Sequence, residues 1–126
     1  MEINVNAQII GIKDLVPVKA TQGAVRKAIN VLREITNVQL KQEKMFNEGD
    51  NLKPETAIEF FDQQINSIDT LNNFVTEVLK LNKKEQKGLE ELSLDEITEF
   101  ASDIASQLLG MKDTEATEED LKSVND

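Results

Sequence analysis

Cysteine and histidine are both absent from this 126-residue chain. Without cysteine there is no disulfide framework, no thiolate nucleophile and no zinc–sulfur site. Without histidine, the side chain best suited to proton transfer near neutral pH is missing, and so is the commonest ligand for transition metals. Tryptophan and tyrosine are missing too, and aromatic residues make up only 4% of the chain, so a core must be aliphatic with five Phe added. No apolar run approaches the roughly 20 residues needed to span a bilayer. The opening Met1-Glu2-Ile3-Asn4-Val5-Asn6 has no basic region followed by an apolar block, so it does not read as a signal peptide. Together these absences exclude the usual catalytic and metal-binding constellations. The expectation is a cytoplasmic protein that is not an enzyme, uses no cofactor and takes no small-molecule substrate.

What is present is acidic charge and helical periodicity. The net charge is −10. It is unevenly spread: residues 1 to 44 carry seven Lys/Arg against four Asp/Glu, net +3, whereas residues 45 to 126 carry seven against twenty, net −13. An envelope this acidic repels phosphate backbones and anionic lipid, which argues against nucleic-acid and membrane partners.

Ile3, Val5, Ala7 and Ile9 alternate with polar residues, the pattern of a half-buried strand or a small hairpin turning at Asn6-Ala7. Gly11 and Pro17 then make residues 11 to 20 a connector. A first helix is expected from about Thr21 or Gln22 to about Lys44, with Val25, Ala28, Ile29, Leu32 and Ile35 inward and a basic outer face that includes Arg26, Lys27, Arg33 and Lys41. The stretch from Asn47 to Lys53 is a loop without EF-hand ligand spacing. Pro54 and Glu55 open a second helix, which runs to about Leu81. Residues 82 to 92, with Gly88 and three lysines, read as a loop. Ser93 and Glu96 form a capping box for a third helix that Gly110 ends. On that helix Asp95, Glu99 and Asp103 share a face opposite the apolar stripe, so they read as solvated carboxylates rather than a cation or acid–base site. The expected architecture is therefore mainly α. It is a small bundle of about three helices over residues 1 to 111, with a short N-terminal strand or hairpin and a flexible acidic tail over residues 112 to 126.

The second helix is the most informative element. One stripe holds Ala57, Ile58, Phe61, Ile65, Ile68, Val75 and Leu79, and another holds Phe60, Leu71, Phe74, Val78 and Leu81. Together they exceed the one-sided stripe of little more than about 100° that a surface helix carries, so this helix needs cover on two sides. Either it lies centrally between the other helices, or the second stripe, Phe60, Leu71, Phe74 and Val78, meets a protein partner or another copy.

The segments Met1-Glu2-Ile3-Asn4-Val5-Asn6, Ala57-Ile58-Glu59-Phe60-Phe61 and Leu92-Ser93-Leu94-Asp95-Glu96-Ile97, the helix end at Leu109-Gly110 and the acidic C-terminal stretch resemble the tail assembly chaperones of long-tailed bacteriophages, particularly those infecting Gram-positive hosts. The chain departs from many members in having Ala7 where they have Gly. The resemblance implies a protein that holds the tape measure protein and recruits tail tube subunits during tail morphogenesis, in the cytoplasm of the bacterial host, and is absent from the mature virion. It also implies a longer frameshifted product in many members. A homo-oligomer is compatible with it. The alternative from charge alone is a small acidic regulatory protein that mimics nucleic acid and blocks a basic partner.

Overall fold

The structure, a computed structural model, describes residues 1–111. The expected acidic tail lies outside these residues. The chain opens with an antiparallel ribbon of β1 (Glu2–Val5) and β2 (Val16–Lys19), in which Ile3 faces Val18 and Asn4 faces Pro17. Four helices follow: α1 (Gln22–Glu48), α2 (Pro54–Leu79), α3 (Lys83–Glu90) and α4 (Leu94–Leu108).

Local chemistry accounts for most boundaries. Strand β1 ends because Asn6 Oδ1 accepts from the Gln8 amide at 3.0 Å, turning the chain into a short 3₁₀ segment over Gln8–Ile10. Gly11, at φ 88°, turns the chain out of that segment. The hairpin therefore spans a longer connection than a turn at Asn6-Ala7, and Ile9 leaves the apolar face and is exposed. Residues 16 to 19, expected as connector, form the second strand. Its Pro17 is tolerated because a two-stranded ribbon has only edge strands, which leave room for a residue lacking an N–H.

Thr21 caps α1 by accepting from the Ala24 amide at 3.1 Å, and the helix runs a turn beyond Lys44 to Glu48, with Gly49 as its C-cap. Helix α2 begins at Pro54 with Glu55 in its first turn. The capping box at Ser93 and Glu96 is formed, with both hydrogen bonds present. A second capping box, Asn82 with Glu85, starts α3, so the expected loop is a helix and the described residues form four helices rather than about three. Gly88 lets α3 pack close to the 3₁₀ segment, because a Cβ there would lie 3.3 Å from the Ile10 carbonyl oxygen.

Helix α2 ends in a Schellman arrangement: the Leu81 amide donates to the Thr76 carbonyl at 3.0 Å, and Leu81 is buried. The left-handed position is Lys80, at φ 54°. A side chain costs energy there, so Lys80→Gly is expected to stabilise the fold by about 0.5–1 kcal/mol. Thermal melts of the two proteins check this; an unchanged or lowered midpoint counts against it.

The core gathers at one end of the α1–α2 pair. There Ala28 and Val31 of α1 and Leu71, Phe74, Val75 and Leu79 of α2 meet α4, whose Ile97, Phe100, Ala101, Ile104, Ala105 and Leu108 all point inward. Ile3, Val5 and Val18 of the ribbon and Leu89 of α3 close this end. Antiparallel α1 and α2 are tied along their length by polar contacts: Lys27 with Glu77 at 2.8 Å, Gln63 and Asn66 donating to Glu34, and Thr56 donating to Glu48 at 3.2 Å. Beyond the core, the second half of α1 and the first half of α2 continue as a two-helix projection. The side chains of α2 buried there are Thr56, Phe60 and Ser67, none of which joins the main core.

Candidate partner-binding surface

The second stripe of α2 faces inward. Leu71 and Phe74 are 1% and 3% exposed, Phe60 is buried against the projection's own interior, and half-buried Val78 packs on the core. Within this chain, then, three of the four residues expected to meet a partner, Phe60, Leu71 and Phe74, are buried in their own fold, and Val78 is half-buried. The physical reason is that α1 and α4 pack on adjacent sides of α2, so the central position alone accounts for much of its apolar circumference.

The exposed apolar surface lies on the other stripe. Ile58, Phe61, Ile65 and Ile68 are 58%, 54%, 61% and 36% exposed. Their spacing is regular. Ile58, Ile65, Asn72 and Leu79 recur every seven residues, and so do Phe61, Ile68 and Val75. This is the a/d pattern of a helix seam. At its C-terminal end the seam is filled, since Val75 and Leu79 are buried in the core that α4 completes. At its N-terminal end, among the described residues, it is open to solvent.

Neighbouring elements extend the open stretch. Phe46 of α1 is 67% exposed and follows Ala28 by eighteen residues, about five helical turns, which puts it on the side of α1 that packs inward at Ala28. At the other end Ile68 shares a cleft with Leu92, Leu94 and Ile97 at the start of α4. The boundary between filled and open seam falls at Asn72. Its amide nitrogen donates to the Ile68 carbonyl at 2.8 Å, while its Oδ1 is buried with no hydrogen-bond partner among the described residues. Scattered single apolar residues are normal on a surface; a contiguous strip on one helix face is a candidate interaction site.

Charge borders this strip on one side. Between Pro54 and Leu79 there are five acids and no Lys or Arg. Three of them, Glu55, Asp62 and Asp69, also recur every seven residues and are exposed beside the seam. The remaining candidates are weaker. Asp95, Glu99 and Asp103 lie exposed on α4, and among the described residues no group of three or more acidic residues is placed to hold a metal ion. No helix among them is long and apolar enough to cross a membrane.

A signal for the open seam was present in the sequence, in the two interleaved seven-residue series and the acidic row beside them. Apolar periodicity alone does not tell which stripe faces inward. That depends on how far along α2 the fourth helix reaches.

A family model described as phage tail assembly chaperone proteins matches residues 1–123, nearly the whole chain. No curated protein and no solved structure matches.

Proposed function

The chain belongs to the phage tail assembly chaperone family, and from that premise we propose that it holds the tape measure protein and tail tube subunits while a phage tail is built, in the cytoplasm of the bacterial host. The observation that supports this reading is the open apolar seam at Ile58, Phe61, Ile65 and Ile68. A chaperone of this kind must offer apolar surface to a client and still stay dissolved when empty. The seam meets the first need. A net charge of −10 meets the second, because like-charged copies repel. Once the client is packed into the finished tail, its apolar stripes are covered by other tail proteins and the chaperone has nothing left to hold. Release before completion, and absence from the virion, follow from that competition. The proposal extends to long-tailed phages of Gram-positive hosts, on the resemblance of the chain's segments to chaperones of that group.

Co-expression tests it. The tape measure protein of the same phage is expected to be mostly insoluble when made alone. Made with this chain, it should shift to the soluble fraction and co-purify with it, and the tail tube protein should join the complex. A tape measure protein that is equally soluble alone, or that never co-purifies, would overturn the reading.

A further inference from the structure

Helix α4 shows what kind of object the α2 seam accepts. It is a single amphipathic helix that contributes Ile97, Ala101 and Ile104 to the core around Val75 and Leu79. It begins at Leu94, beside Ile68, and the seam runs on past it toward the tip. We infer that the open half of α2 receives one further amphipathic helix, supplied by the client, whose apolar stripe is flanked by lysine or arginine. The inference rests on the chaperone reading and deepens it by naming the chemistry of the bound segment.

The charge requirement comes from Glu55, Asp62 and Asp69. In a paired-helix seam, residues next to the apolar positions face the flanks of the incoming helix, where opposite charges select partners and like charges reject them. Three carboxylates in line, with no cation on α2 to neutralise them, favour basic flanks and oppose acidic ones. The same row argues against the other occupants. Residues 112 to 126 carry six acids and two lysines, a charge that does not complement the row. A second copy docking through the same face would oppose one acidic row to another. The basic outer face of α1 in a second copy has suitable charge, but its exposed Ile29 and Leu40 are eleven residues apart with Arg33 and Thr36 between them, so it offers no continuous stripe.

The test uses two synthetic peptides of three heptads, identical at the core positions with Leu, one carrying Lys and the other Glu at the flanking positions. Binding to the full chain is read by fluorescence polarisation. The Lys peptide is expected to bind at least about tenfold more tightly, through three attractive facings in place of three repulsive ones. The preference should shrink as salt rises, and Asp62→Lys with Asp69→Lys should reverse it. Ile65→Asp, at an exposed position, should weaken both peptides without lowering the melting temperature. Equal binding of the two peptides, or a preference untouched by the Asp62/Asp69 change, would overturn the inference and leave the chaperone reading intact. If neither peptide binds while the tape measure protein still co-purifies, the single-helix occupant is wrong and the reading stands. If the tape measure protein fails as well, both fall. Wild-type association in sedimentation that Ile65→Asp abolishes would assign the seam to a second copy and overturn the inference.

Discussion

Phe74→Ser is expected to cost the fold about 4–8 kcal/mol, which approaches or exceeds the whole stability of a small domain. Phe74 is 3% exposed in the cluster that α1, α2 and α4 build together. Truncating a buried phenyl ring costs about 3–5 kcal/mol through lost transfer energy and the cavity left behind. A hydroxyl held there without a partner adds about 1–3 kcal/mol. Urea unfolding measures the sum. With a slope of roughly 1–3 kcal/mol per molar for a small protein, the midpoint should fall by about 1.3 M or more, or the variant should already be largely unfolded in buffer. A loss below about 1 kcal/mol would mean that this side of α2 is not packed as described, and would return Phe60, Leu71, Phe74 and Val78 to consideration as a partner surface.

The opposite stripe should behave in the opposite way. Phe61→Ser combined with Ile65→Ser removes two large apolar groups that are 54% and 61% exposed, so the folded chain loses little by the change. Stability is expected to stay within about 1 kcal/mol of wild type. Client capture should drop steeply. Fully burying a Phe or Ile side chain contributes about 1.5–3 kcal/mol, and a client can cover only the exposed half or so of each, so losing both weakens an interface that uses them by roughly 15-fold or more. The readout is the amount of tape measure protein co-purified at equal chaperone concentration. Wild-type capture by this double variant would move the client surface away from α2. Read together, the two variants separate a structural stripe from a binding stripe on one helix.

Helices α1, α2 and α4 are legible in the sequence because each carries both an apolar period and a terminal signal: Thr21, Pro54, and Ser93 with Glu96. Helix α3 has the terminal signal, Asn82 with Glu85, but its eight residues include only one large apolar side chain, Leu89. With almost nothing to count, the periodicity is silent, and Gly88 with three lysines suggests a loop. Gly88 is there for close packing against Ile10, which is a tertiary requirement. Strand β2 is hidden for a similar reason. Pro17 argues against a strand wherever both edges are paired, and only the two-stranded topology makes it harmless. On α2 both apolar stripes can be counted in the sequence, but not their assignment. Val75 and Ile68 are seven residues apart and occupy equivalent positions in the seam, yet one is fully buried and the other is 36% exposed, because α4 covers one and begins beside the other.

The two-helix projection has a consequence for where the molecule opens first. Helix α1, at 27 residues, is about 40 Å long, and its outer half adds no buried residue to the core. Separating the two helices at the tip exposes little beyond Thr56, Phe60 and Ser67, whereas opening the other end disrupts the whole cluster. Amide protons near the tip are therefore expected to exchange through inexpensive local fluctuations, and those around Val31 and Leu71 far more slowly, through larger openings. On the proposed function, the client is met by the part of the chaperone least committed to one geometry. One chain can then adjust its grip to successive stretches of a long client whose side chains vary in size, without disturbing the closed end that keeps it folded.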